Sequence, residues 1–399
     1  MFDGLMATAT QGRSTIQRAL QSVRQHLGME VAYVSRFENG LSVFREVDAP
    51  GLEALIKPGD SRPLEDVYCL HILAGRLPEL IPDTGAEPIC QSMPITHQVP
   101  IGSHASIPIR LPDGSPYGMF CCLSPFPNAT LNPRDLQVMR VFADIAAHEI
   151  AVEVAEAEAQ ALRLAELRQV IEGRLFSPRY QPIHTLSPFA LVGFEALCRF
   201  TPEPYRSPDK WFDAAHAAGV GVELEIAVMR EALAALPQLP PHCFISVNAS
   251  PPSILGGALP REFDGLPQDR LILEVTEHAP VADYAALRDA LAPIRAAGVR
   301  LAIDDAGAGY SSLQHILELR PDIIKLDMGL VRGVDTDMAK RALASALCLF
   351  AKETGAQIVA EGIETASELA ALENLGVCKG QGYLLGKPME MAAAVALAG

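Results

Sequence analysis

From about residue 175 onward, short apolar runs alternate with amphipathic helical stretches, and this alternation limits the fold more than any other feature of the chain. The runs are "LVGFEALCRF", "CFISVNAS", "LILEVTE", "VRLAIDD", "DIIKLD", "QIVAEGIE" and "CKGQGYLLGKP". Helices such as "ADYAALRDALAPIRAAG" and "KRALASALCLFAKETG" lie between them. A strand followed by a helix, repeated, builds a parallel sheet with the helices outside it. With this many units a closed α/β barrel is expected over an open sheet. The first run, "RYQPIHTL", is separated from "LVGFEALCRF" by only Ser187, Pro188, Phe189 and Ala190. That gap is too short for a parallel crossover. The first two strands must form a hairpin, so the barrel has one strand running backwards.

The preceding sequence has a different pattern. Residues 1–147 mix helical and strand signals. "TIQRALQSVRQHL" has the spacing of an amphipathic helix. "VAYVSRFENGLSVFREV" reads as a hairpin around Glu38-Asn39-Gly40, and Pro112-Asp113-Gly114 marks a second one. A helix from Pro133 closes an α+β, sensor-like domain. Residues 148–173, "HEIAVEVAEAEAQALRLAELRQVIEG", are rich in Ala, Glu and Leu and read as a linker helix. Ile150, Val154, Ala157, Ala161, Leu164 and Ile171 repeat at alternating four and three, with Arg168 breaking the series. Two readings stay open, a solvated linker and a two-chain coiled coil. Residues 174–399 form the barrel.

The formal net charge of -16 disfavours binding to nucleic acid or to an anionic membrane. An anionic ligand would need local cations, from Arg, Lys or a metal. No signal peptide and no membrane span is expected, and the eight scattered cysteines lack a CxxC pair. The expected location is a reducing cytoplasm.

In nearly every C-terminal run the polar residue stands at the C-terminal end. Glu195, Asn248, Glu274 with Glu277, Asp304 with Asp305, Lys325 with Asp327, and Glu361 follow this rule, and Gln381 falls in the last run. In an α/β barrel those ends open onto one face, which carries the active site. A lone acid after a strand is usually a solvated residue or a helix cap, and Glu277 and Asp327 are candidates for that role. Five carboxylates at one mouth (Glu195, Glu274, Asp304, Asp305 and Glu361) would repel strongly unless divalent cations held them. With an Asn carbonyl they make a hard oxygen set suited to Mg²⁺ or Mn²⁺. Paired metals are a recurring device for phosphodiester hydrolysis. Lys325 could position the attacking water, and Arg199 could clamp a phosphate.

These motifs resemble the EAL-domain cyclic di-GMP phosphodiesterases. The triplet Glu195-Ala196-Leu197 is followed by Cys198 and Arg199. "YQPI", "VNAS", "EVTE", "IDDAGAGYSSL", "IKLD", "AEGIET" and "QGYLLGKP" follow in order and spacing, so the likeness covers the whole C-terminal half. It implies a TIM-like (β/α)8 barrel that hydrolyses cyclic di-GMP to pGpG with two divalent ions. It implies Glu195, Asn248, Glu274, Asp304 and Glu361 as ligands of the first metal and Asp305 at the second. Lys325, Glu195 and Glu361 are then catalytic. Gln181, Leu197, Arg199 and Gln381 contact substrate, and Glu277 steadies the loop after Asp305. That loop departs from the family pattern Asp-Phe-Gly-Thr-Gly, because Ala306 and Ala308 replace the aromatic and the Thr. The resemblance leads us to expect a looser loop, with weaker second-metal occupancy or altered coupling across the dimer. The N-terminal region resembles a GAF domain through "VYCLHILAGRLPELIPDT" and "GSHASIPIRLPDGSPYGMFCCLS", which implies a small-molecule effector of unknown identity and a homodimer. Cys69 and His71 read as a buried thiol and an ordinary histidine. The second functional reading is a non-catalytic cyclic di-GMP receptor that signals through the linker helix.

Overall fold

Asn39 and Gly40 both adopt positive φ, 50° and 77°, the turn that joins two strands with matching twist. They connect β1 (Val31–Glu38) to β2 (Leu41–Asp48) in a computed structural model that describes residues 14–276, 281, 283–307 and 310–399. With β3 (Ser61–Pro63), β4 (Leu80–Ile81), β5 (Ser103–Arg110) and β6 (Pro116–Ser124) they form a six-stranded antiparallel sheet of order β3-β2-β1-β6-β5-β4. The expected β5–β6 hairpin turns at Gly114, with φ 83°. Alternate residues of β6 enter opposite cores. Phe120 and Cys122 pack with the helix Thr15–Leu27, while Met119 and Cys121 pack with Tyr68 and Cys69. This period of two puts the adjacent Cys121 and Cys122 on opposite faces, and all eight cysteines are free thiols.

The chain divides into two compact units, Met1–Ala159 and Gln160–Gly399. The helix expected from Pro133 and the linker helix expected over 148–173 are one helix, Pro133–Glu172. Its 150–171 apolar stripe is partly taken up by the two cores. Ile150 and Val154 pack into the first unit's core, and Leu164 and Ile171 into the second's. Four of the six residues of that stripe therefore serve domain cores, while Ala157 and Ala161 stay exposed.

The second unit is a closed eight-stranded barrel. Its strands are β7 (Phe176–Thr185), β8 (Ala190–Phe200), β9 (Phe244–Ala249), β10 (Leu271–Val275), β11 (Arg300–Ala306), β12 (Ile323–Leu326), β13 (Gln357–Ala360) and β14 (Lys379–Gly380). Only β7 runs against its neighbours, pairing antiparallel with both β8 and β14, as the short connection requires. The barrel floor is an apolar layer of Ile183, Phe244, Ile272, Ala302, Ile323 and Val359. Gly193 leaves room for Phe244 there, since a Cβ would lie 2.6 Å from its ring. Because side chains alternate, residues two positions further toward the mouth also point inward. Those residues are Gln181, Glu195, Glu274, Asp304, Lys325 and Glu361. One more pair of steps from Phe244 reaches Asn248. Outside the strands, helices such as Gly221–Leu233, Tyr284–Ala296 and Met338–Thr354 cover a continuous apolar core. Among the described residues, no helix is long and apolar enough to cross a membrane.

Candidate active site

Lys325 stands at the centre of the polar layer, 1% exposed. Its Nζ lies 2.6 Å from Glu361 Oε1, 2.7 Å from Glu274 Oε2, 3.1 Å from Asp304 Oδ1 and 3.4 Å from Glu195 Oε1. Burial alone would lower its pKa, but Asp304, Glu195, Glu274 and Glu361 hold it well above the ordinary lysine value. Burial pushes the Glu274 carboxyl up to about 8 against the pull of Lys325. Burial also raises Glu361 well above the usual carboxylate range, with Lys325 opposing and Asp304 and Glu195 adding to the rise. One ammonium therefore faces more negative charge than it can neutralise.

Register explains how two consecutive aspartates both reach this layer. In a regular strand Asp304 and Asp305 would point to opposite faces. Here the β11–β12 pairing shifts between Ile303 and Ala306, and Asp305 takes a left-handed backbone with φ 53°. Such a bulge re-aims a side chain at a sheet's end. Carboxylate oxygens of Asp304, Asp305 and Glu361 lie within 4.8 Å of one another. Asn248 Oδ1 is buried without a hydrogen-bond partner, an acceptor awaiting a donor or a cation. Three clustered acids, an orphaned amide oxygen and two further buried glutamates fit a divalent metal site.

The other expected residues fall close by. Gln381 donates from Nε2 to Glu195 and, at 3.1 Å, to Glu361 Oε1, so it joins two of the acids. Gln181 pairs in register with Glu195 and donates to the Gly386 carbonyl at 3.3 Å. Leu197 and Arg199 line a cleft of about 540 Å³ that also borders Asn248, Phe212, His216 and Thr276. Asp327 accepts from Gly329 N at 2.9 Å and caps the short helix Met328–Val331, as its alternative reading held. Ala306 is fully buried in the apolar core at the end of β11. Glu277 and Ala308 lie outside the described residues.

Sequence reasoning missed a buried acid behind Asn248. Glu225 Oε1 accepts from His216 Nε2 at 2.8 Å. Its Oε2 accepts from Ser250 N at 2.9 Å and Ser253 Oγ at 2.6 Å. This carboxylate fixes the turn that follows Asn248. A signal was present, because Glu225 shares a helical face with Met229, Ala232 and Leu233, and an acid inside an apolar stripe needs partners.

The EAL-domain family model matches residues 164–388 and the GAF-domain model residues 12–150. The chain is 32% identical over 247 residues to the bifunctional diguanylate cyclase/cyclic di-GMP phosphodiesterase MucR of Pseudomonas aeruginosa, covering 59% of this chain and 36% of MucR. It spans 33% of an uncharacterized protein of Azorhizobium caulinodans and 62% of the cyclic di-GMP phosphodiesterase RocR of Pseudomonas aeruginosa, less than two thirds of each. The solved MucR phosphodiesterase, a c-di-GMP complex, aligns with a TM-score of 0.53 and 31% identity over 58% of this chain and 99% of that one. The EAL enzyme Bd1971, solved with cAMP and cyclic di-GMP bound, aligns with a TM-score of 0.58 over 93% of both chains. At 19% identity that likeness shows the fold alone.

Proposed function

The chain belongs to the EAL-domain family, and on that premise we propose that it is a metal-dependent phosphodiesterase that converts cyclic di-GMP to linear pGpG. The observation that carries the reading is the buried ring of carboxylates around Lys325. Glu195, Asn248, Glu274, Asp304 and Glu361 would hold one divalent ion, Mg²⁺ or Mn²⁺, and Asp305 a second beside Asp304. Bound there, the pair supplies an activated water and neutralises charge on the attacked phosphate.

The chain's own residues do the rest. Lys325 stays protonated among the acids and offers donors that hold a water in line with phosphorus. Attack by that water would form one P–O bond and break the bond to a ribose 3′ oxygen, which would take up the proton that the water passes to Glu195 or Glu361. Glu195 and Glu361 lie within reach of Lys325 and accept the proton that the water loses. Arg199 clamps a phosphate, and Leu197 and Phe212 offer apolar surface to a base in the cleft. Gln381 steadies Glu195 and Glu361, and Gln181 borders the same mouth. Glu277 is assigned to the loop after Asp305 on the resemblance alone.

We further propose that the GAF domain regulates this activity through a small effector. A cavity of about 70 Å³, lined by Tyr33, Arg62, Tyr68 and His104, supports that reading. Eight free thiols support a cytoplasmic location, and we propose that the chain works as a homodimer.

The test is cyclic di-GMP turnover by the purified chain with Mn²⁺ or Mg²⁺, then with EDTA, followed by nucleotide separation. Metal-dependent pGpG is expected. Intact nucleotide with measurable binding would instead identify a receptor.

A further inference from the structure

Helix Pro208–Ala217 forms one wall of the cleft, and its two faces have different neighbours. Asp209, Phe212, Asp213 and His216 line the cleft together with Leu197 and Arg199. Their spacing of three and four puts them on one helical face. Trp211 and Ala215 lie on the other face, in an apolar cluster with Leu167, Val170 and Phe200. The start of this helix has its own anchor. Ser207, at the N-cap, makes no side-chain bond to the first turn. Arg206, one residue earlier, is held instead. Its Nη1 and Nη2 donate to the two carboxylate oxygens of Glu166 at 3.2 Å and 2.9 Å. Glu166 lies near the end of helix Pro133–Glu172, in the same compact unit as the barrel. The Arg206 guanidinium also lies 4.7 Å from the centre of the Trp211 ring. Trp211 is 1% exposed and stacks on Phe200, with ring centres 5.3 Å apart. Its Nε1 is buried without an acceptor, so the indole is held by its faces and not by a hydrogen bond. Phe200 in turn meets Phe212 edge to face, 5.8 Å between centres.

We propose that Arg206, forked onto Glu166 and laid on Trp211, is a positioning residue that sets where the wall carrying Phe212 stands relative to Arg199. Arginine suits the role because one flat group both pairs bidentately and stacks, which an ammonium cannot do. Arg206 is not among the residues that line the cleft, so it acts through the helix it precedes. The side chains of Arg206 and Glu166 are 40% and 39% exposed, and an ion pair that open adds little to overall stability. Its effect therefore falls on placement. A base on Phe212 and a phosphate on Arg199 belong to one rigid ligand, so both contacts form only at one separation of the wall from the strand that carries Arg199. The carboxylates around Lys325 stand on the barrel strands and do not depend on that separation. This role rests on the phosphodiesterase reading above.

The test is steady-state turnover of cyclic di-GMP by the full chain in saturating Mn²⁺. Arg206→Ala should raise KM by about five- to tenfold, with kcat and the Mn²⁺ concentration for half-maximal activity within about twofold of the parent. Arg206→Lys keeps the charge but loses the fork and the flat face, so it should resemble Ala. Glu166→Gln separates placement from attraction. It leaves Arg206 as an unpaired cation near an anionic substrate, so attraction by charge predicts a lower KM. Placement predicts a KM raised by about two- to fivefold. A parent-like KM in Arg206→Lys, or a lower KM in Glu166→Gln, overturns the assignment. So does a fall in kcat with KM unchanged, which would mark damage to the metal site or to the fold. If the parent binds cyclic di-GMP without hydrolysing it, the phosphodiesterase reading fails, and the same order of variants in Kd upholds the role of Arg206. A parent that neither binds nor hydrolyses it overturns both.

Discussion

Lys325 carries the only positive charge in contact with Glu195, Glu274, Asp304 and Glu361 among the described residues. Removing one partner of a buried ion pair strands the others and costs about 3–5 kcal/mol. Lys325→Met should therefore lower stability in EDTA by an amount of that order, read in denaturant unfolding. Added Mn²⁺ should recover much of the deficit, because the stranded acids are the proposed ligands. Turnover should stay lost even in saturating Mn²⁺, since the donor to the water is gone. A variant as stable as the parent in EDTA would contradict the arrangement. Ala306 tests the loop. The absent family aromatic suggested looseness, yet Ala306 has no exposed surface and packs in the core between strands and helices. Ala306→Phe should overpack that site and destabilise by about 1–3 kcal/mol. A gain in melting temperature would show that the space for the aromatic remains.

At the scale of elements, the barrel was legible because its signals are local. Most strands announced themselves as short apolar runs, and the polar residue at the C-terminal end of each run marked the mouth. The hairpin order of β7 and β8 followed from a connection of four residues. The shift that brings Asp305 alongside Asp304 was not legible, because it belongs to the pairing of β11 with β12 and to one positive φ. The long helix was legible only in part. A heptad pattern identifies an apolar line but not what covers it, and two domain cores take the ends of the 150–171 line while Ala157 and Ala161 stay exposed. Glu225 was also hidden, since its partners lie on other elements, at His216, Ser250 and Ser253. Glu225→Ala leaves two buried donors without an acceptor, at about 1–3 kcal/mol. If it also lets Asn248 drift, the Mn²⁺ concentration for half-maximal activity should rise by about 10- to 100-fold, the usual loss when a ligand's support is removed. Glu225→Gln keeps acceptor capacity and should fall between Ala and the parent. An unchanged Mn²⁺ titration in the Ala variant would remove Glu225 from any part in positioning the site.

At the scale of the whole molecule, two cores answer to different variables, which gives each unit its own stability test. The barrel holds the proposed metal ligands, so divalent ions should stabilise it and not the six-stranded sheet. Free metal at about a hundred times Kd adds about 2.7 kcal/mol, which is about 5–10 °C for a domain of this size. The sheet's lever is pH. His104 is buried, and burial lowers its pKa to about 4. The folded sheet domain therefore holds His104 neutral, and the unfolded chain protonates it near its ordinary value of about 6.5. The stabilisation is complete above that value and is lost as pH falls toward 4, by roughly 3 kcal/mol in total. Thermal unfolding should thus show two transitions. Mn²⁺ should raise one, and a change from pH 7.5 to pH 5 should lower the other most. His104→Gln should reduce that second sensitivity without altering the response to Mn²⁺. The helix Pro133–Glu172 contributes to both cores, with Ile150 in one and Leu167 in the other. If both transitions move together under Mn²⁺ alone, that helix makes the two cores one cooperative unit, and metal binding in the barrel then stabilises the sheet as well.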